Sequence, residues 1–233
     1  MSSDRKIAWF GIGLSVLGLI PIFRDASVQL IVVYCLLFLV LVGFFLYAAY
    51  RTSGPQYTTI SLKKVLTIQD RDGRLASLTR EQRIRVNYGS IQEIWCRGIY
   101  SDGSIDNFKV DGEPVPAFDQ ICSGPIIDLR KRFSEAIFSS HETTISWAYD
   151  LHDSFPAKHE ALDHEVTPGT SLVELTVHLP VSRTCIRASM HVLVGGEPVE
   201  QMEDPAISQD RKTLHAWVKS PKNGHTLRLS WDW

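Results

Sequence analysis

Cysteine is scarce and unclustered. The 233 residues contain four, Cys35, Cys96, Cys122 and Cys185, far apart and without a C-x-x-C pair. That spacing excludes a zinc ribbon and a disulfide framework, and it fits a reducing compartment. Glycine-rich chemistry motifs are also missing: there is no Walker loop and no nucleophile elbow. The only G-x-G, Gly11-Ile12-Gly13, lies inside an apolar run, where it cannot cradle phosphate from a strand-to-helix turn. A metalloprotease helix is excluded too. His159-Glu160-Ala161-Leu162-Asp163-His164 has one residue more than H-E-x-x-H, which sets the two histidines about 140° apart on a helix. The stretch reads as a solvated acidic loop. Its other use, a metal gathered by His152, His159, Asp163 and His164, lacks a geometric reason, so neither a metal nor a cofactor is expected.

No single sign of charge dominates, with 24 Lys and Arg against 26 Asp and Glu. The balance is uneven, however. Residues 52–132 carry 12 basic against 10 acidic side chains, and residues 133–233 carry 8 against 14. The basic half suits a solvated face, anionic headgroups, a nucleotide or nucleic acid, or the acidic half of a neighbouring subunit.

What the sequence does have is length in its apolar runs. Ile7 to Phe23 and Val28 to Tyr50 are joined by Arg24-Asp25-Ala26-Ser27. The second run reaches roughly 35 Å as a helix, enough for a ~30 Å hydrocarbon layer. The pattern predicts a transmembrane hairpin over residues 1–54, with spans at about 7–23 and 28–50. A cleaved signal peptide is the competing reading. Arg5, Lys6 and Arg51 flank the pair, so the positive-inside rule predicts a multi-pass inner-membrane protein with both termini cytoplasmic. Gly11, Ser15 and Gly18 offer a smooth face for helix packing. Phe44 and Phe45 are candidates for a hydrophobic pore constriction, which requires a cyclic homo-oligomer because two helices cannot enclose a channel.

Beyond Pro55 the pattern has period two. Ile60, Leu62, Lys64, Leu66 and Ile68 alternate with polar neighbours, and Asp72-Gly73, Asp102-Gly103 and Asp111-Gly112 mark turns. These predict a membrane-proximal meander sheet over 55–125. Ile126 to Ser139 is ambiguous and compatible with a short helix. Strands at Thr143–Leu151, Leu172–Leu179, Thr184–Val194, Thr213–Lys219 and His225–Trp233 predict a β-sandwich or barrel lobe over 126–233. Trp233 is expected to dock in the core. The predicted fold class is thus a two-helix hairpin followed by an all-β cytosolic region.

Arg5-Lys6, two tightly linked spans and a β-rich remainder together resemble the two-transmembrane, β-strand-rich effectors of bacterial anti-phage systems. These include the cyclic-oligonucleotide-signalling effectors and the membrane channel of the Hailong system. The resemblance implies an oligomeric effector that perturbs the inner membrane. It also implies a β-rich sensor for a nucleotide or short nucleic acid made by a partner nucleotidyltransferase. The residues supply candidates for such a sensor. Phosphates call for basic groups and bases for aromatic platforms, and Arg83, Arg85 and Arg97 interleave with Tyr88, Trp95 and Tyr100. Arg130, Lys131 and Arg132 form a second basic set, equally suited to lipid headgroups of the bilayer. An enzyme is not expected. The alternatives are a membrane-tethered protein-binding or scaffold module without conductance and a hydrolase built on His152, His159 and His164.

Overall fold

A computed structural model describes residues 28–52 and 55–233. The chain divides after Gly54 into two compact units. In the first, Val28–Thr52 form helix α1, built from a run of aliphatic and aromatic residues without proline. Among the described residues no helix is long and apolar enough to cross a membrane. This finding corrects the two-span hairpin, and with it the multi-pass inner-membrane placement and the ion channel. The predicted span at 7–23 lies outside the described residues, as do Gly11, Ser15 and Gly18. Phe44 and Phe45 are exposed on α1, with their rings edge to face at a centroid separation of 6.5 Å.

The second unit is all-β. Its strands are β1 (Tyr57–Ile68), β2 (Leu75–Val86), β3 (Ser90–Ile99), β4 (Ser104–Val110), β5 (Glu113–Pro114), β6 (Gln120–Ser123), β7 (Ile126–Phe138) and β8 (Glu142–His152). They continue with β9 (His159–Glu165), β10 (Leu172–His178), β11 (Arg187–Val194), β12 (Glu197–Gln201), β13 (Ala206–Ile207), β14 (Thr213–Lys219) and β15 (Thr226–Asp232). They form an eight-stranded sheet in the order β13-β14-β10-β1-β2-β8-β4-β5, a four-stranded sheet β12-β11-β15-β9 and a three-stranded sheet β3-β7-β6.

Period two decides which side chains each strand buries. Leu62, Leu66 and Ile68 of β1 face inward with Ala76, Leu78, Ile84 and Val86 of β2. A register shift between Thr59 and Ser61 lets Thr59 join the same buried side. Trp147 of β8 and Leu227, Leu229 and Trp231 of β15 complete one core shared by all three sheets. Phe155 packs on Trp231 with ring centroids 6.0 Å apart. Trp233 lies partly buried against that core, its indole Nε1 donating to the Ala157 carbonyl at 2.6 Å. At the β4–β5 turn, Asp111 and Gly112 take φ of 51° and 87°, the positive pair that a two-residue type I′ hairpin requires.

The segments predicted as two lobes, 55–125 and 126–233, interleave in the eight-stranded sheet. β1 pairs antiparallel with β2 and parallel with β10, from Ser61 opposite Leu172 to Thr67 opposite His178. Ile126–Phe138 is strand β7 and not a helix, because it pairs with β3 along one edge and β6 along the other. The expected loop His159–Glu165 is strand β9, paired with β15 throughout.

Candidate functional site

β3 ends the three-stranded sheet and β9 ends the four-stranded sheet, so each has one edge without a strand partner. Residues of both strands line a single cleft of about 1070 Å³. Beneath it, β1, β2 and β8 of the large sheet contribute Lys64, Arg80, Gln82 and Tyr149; Trp95, Arg97 and Tyr100 line it from β3 and the turn beyond, and Arg228 from β15.

Lys64 reaches its place by strand parity. It occupies the inward phase of β1 between Leu62 and Leu66, where a strand normally buries an aliphatic side chain. Arg80 does the same on β2, between Leu78 and Gln82. The two are cross-strand partners in register, so their cations share one patch of the sheet. Lys64 Nζ donates to the Asp163 carbonyl at 2.7 Å. Burial, and then the neighbouring Arg80 charge, bring its pKa down to about 8. Arg80 donates to Cys96 Sγ and to Gln82 Oε1, both at 3.3 Å, while its Nε is buried without a partner. Gln82 is fixed in turn by donating to Thr59 Oγ1 at 2.8 Å.

His164 faces this pair from β9. It is 4% exposed, its Nε2 has no hydrogen-bond partner, and burial followed by the charges of Lys64 and Arg80 holds its pKa well below the usual imidazole value. Tyr149 is buried beside them, and desolvation pushes its phenol up. Of the two acids that flank His164 on β9, Asp163 directs its carboxylate to Arg228, which donates from Nε at 2.8 Å and Nη2 at 2.6 Å, and Glu165 also borders the cleft. Among the described residues neither Lys64 nor Arg80 has a carboxylate within ion-pair distance.

The sequence candidates divide between this cleft and other surfaces. Trp95, Arg97 and Tyr100 line the cleft together. The Arg97 guanidinium lies 5.8 Å from the Trp95 ring centre, and Tyr100 is 59% exposed, its hydroxyl donating to Asp102 at 3.0 Å. Arg83 and Arg85 point from the opposite face of β2, where both grip Glu142: Arg83 Nη2 at 2.6 Å, and Arg85 through Nε at 2.9 Å and through Nη2. Glu142 is accordingly held below the ordinary carboxylate range by these donors. Tyr88 follows the end of β2 and is half-buried, outside the cleft lining. Arg130 donates to the buried Asp119 at 2.7 Å and stacks 5.2 Å from Trp95; Arg132 stands 3.4 Å from Asp119, and Lys131 pairs with Asp111 at 2.8 Å. That basic triplet is thus occupied with carboxylates of its own chain.

Among the described residues no group of three or more His, Cys, Asp or Glu side chains is placed to hold a metal ion. His152 bonds Asp106 at 3.0 Å, His159 bonds Asp232 at 2.6 Å, and His164 faces the other side of β9 from His159. Five residues apart on a strand, the two histidines are on opposite faces.

Lys64 and Arg80 were not among the sequence candidates, and His164 was weighed there only as a metal ligand or a hydrolase residue. The signal was available in the pattern, as a lysine and an arginine in the phase of buried aliphatics.

No family model and no curated protein matches the chain. Among solved structures it is similar to the M1 zinc metallopeptidase from Deinococcus radiodurans, with 9% identity and a TM-score of 0.40 over 75% of this chain and 42% of that one. A presumed protease from Parabacteroides distasonis ATCC 8503 aligns at 12% identity and a TM-score of 0.40, over 76% of this chain and 40% of that one. The chain therefore spans less than half the length of the structures it matches.

Proposed function

We propose that the β-rich unit is a binding module, and not an enzyme, whose cleft takes a nucleotide or a short single strand of nucleic acid. The observation that carries this reading is that Trp95, Arg97 and Tyr100 open onto the same cleft as Lys64 and Arg80. An aromatic platform beside unneutralised cations is the combination that a base with its phosphate requires. Trp95 is stiffened for stacking, its indole donating to Glu93 at 3.2 Å with Arg130 over its ring. Arg97 has the Trp95 ring as a neighbour and keeps its donors for a phosphate at the rim.

Binding is expected to quench the fluorescence of Trp95. Mononucleotides and short oligonucleotides are titrated against the full chain, with Trp95→Phe identifying which of the six tryptophans responds. Trp95→Ala is expected to cost about 1–3 kcal/mol of binding, the usual worth of one stacked base. Arg97→Ala is expected to weaken binding and flatten its dependence on salt. Affinity that is indifferent to both substitutions sinks the reading.

A further inference from the structure

The floor of the cleft holds two cations and a buried imidazole that the rest of the fold leaves incompletely satisfied. Lys64 and Arg80 are register partners on adjacent strands. Arg80 Nε and His164 Nε2 are both buried with no partner, and Asp163 spends its carboxylate on Arg228. Unsatisfied buried polar atoms are costly and rare in folded proteins, and two of them converging on one cavity beside an ammonium call for a ligand atom. The bonds that Arg80 does make, 3.3 Å to a thiol and 3.3 Å to an amide oxygen, are long for a guanidinium, which prefers a planar anion.

We infer that Lys64, Arg80 and His164 form an oxyanion subsite at the floor of the cleft, and that it takes a phosphoryl group. The choice of a phosphoryl group follows from charge and donors. Two cations balance a dianion, and the ammonium, guanidinium and imidazole approach it from β1, β2 and β9, three directions that a phosphate's several oxygens can meet at once. Tyr149 and Gln82 border the same floor and supply further neutral polar contacts. This subsite deepens the nucleotide reading, which it extends from the stacking platform at the rim to the phosphate below; inorganic phosphate alone shares the chemistry.

The pH dependence follows from the groups that face Lys64: Arg80 from β2, Cys96 from β3, Tyr149 from β8, and Asp163 and His164 from β9. With its pKa at about 8, the free ammonium loses its proton as pH rises past that value. Phosphate binding is therefore expected to hold constant from pH 7 to 8 and to weaken above it, by up to about tenfold per pH unit for one linked proton.

The test is calorimetric titration of the full chain with inorganic phosphate at pH 7. One saturable site is expected, with a Kd on the order of 1 mM or tighter. Lys64→Met and Arg80→Met are each expected to weaken it at least about tenfold, the loss of one charge-assisted contact. Lys64→Met removes a desolvated charge, so it is expected to fold and to melt no lower than the parent, which separates lost binding from lost structure. An absence of saturable binding up to about 20 mM, where a site of that affinity would be nearly full, overturns the subsite; so does equal binding by both variants. A nucleoside and its 5′-monophosphate, titrated in parallel, divide the two proposals. If phosphate binds and the base adds nothing, the nucleotide reading fails and the subsite stands. If the nucleotide quenches Trp95 but Lys64→Met is indifferent, the subsite fails and the nucleotide reading stands.

Discussion

Gly73→Ala is expected to destabilise the β-rich unit by roughly 2–5 kcal/mol, combining the cost of a left-handed backbone for alanine with that of overpacking. Gly73 sits in the turn between β1 and β2 at φ +71°, and a Cβ built there falls 1.7 Å from the carbonyl oxygen of Phe155 and 3.1 Å from the Trp233 ring. Neither neighbour yields cheaply. The Phe155 amide donates to the Gly73 carbonyl at 2.9 Å, and the next amide pair along, Asp153 to Arg74, closes at 2.7 Å. The turn itself is tied shut by the Leu75 amide on Asp70 Oδ1 at 2.9 Å. Two backbones therefore meet at Gly73 with no room for a methyl group. Phe155 lines the cleft and packs on Trp231, so the displacement is expected to reach the site as well as the core. Urea unfolding of the variant against the parent measures the effect. A loss under about 1 kcal/mol, within the range of an ordinary surface substitution, would show that the 150s segment moves freely and would remove this contact from the account.

Much of the β-rich unit is legible in the sequence because its strands are two-faced. Leu62, Leu66 and Ile68 on β1, and Leu227, Leu229 and Trp231 on β15, announce strands by alternation, and Asp111-Gly112 announces its hairpin by chemistry. β9 is concealed by composition. His159, Glu160, Asp163, His164 and Glu165 resemble a solvated loop until β15 is placed alongside, and the inward residues Leu162 and His164 are too few to set a period. β7 is concealed differently: its residues are mostly half-buried or exposed, so apolar and basic side chains mix without a clean alternation. The division into lobes could not be read locally at all, since the parallel pairing of Ser61 with Leu172 joins positions over a hundred residues apart.

The site follows the same logic. Trp95, Arg97 and Tyr100 were found by their types, because aromatics interleaved with arginines suggest a platform. The same rule over-collected: Arg83, Arg85, Arg130, Lys131 and Arg132 carry the right charge, but Glu142, Asp119 and Asp111 hold them. Only three-dimensional pairing separates a neutralised arginine from an available one. Lys64 and Arg80 were hidden within strands read as half-buried sheet, although their phase marked them as the unusual members.

On acidification the β-rich unit is expected to lose stability from about pH 6.5 downward, with His164 as the cause. In the unfolded chain this imidazole takes up a proton near its ordinary pKa. In the folded chain burial and the charges of Lys64 and Arg80 keep it neutral until well below that value. Between the two, the unfolded state binds the extra proton, so stability is present above pH 6.5 and falls with decreasing pH, at up to about 1.4 kcal/mol per pH unit. Protonating His164 in place would add a third cation beside Lys64 and Arg80 with no carboxylate directed at it. The carboxylates of Asp232 and Glu142 are held below their usual pKa by His159, Arg187, Arg85 and Arg83, and their contribution is lost only at lower pH, beneath the ordinary carboxylate value. The two regimes are thus separable in one series of urea unfolding curves from pH 7.5 to about 3. In His164→Leu, which keeps the volume apolar, the loss that begins near pH 6.5 is expected to disappear, leaving only the carboxylate limb. Saturating phosphate is expected to shrink the parent's loss and leave its onset near pH 6.5, since a bound anion makes the protonated imidazole tolerable and raises its folded pKa toward the unfolded value, which narrows the window between the two. A slope unchanged by His164→Leu would mean that another group titrates in this window, and would remove His164 as the source of acid sensitivity.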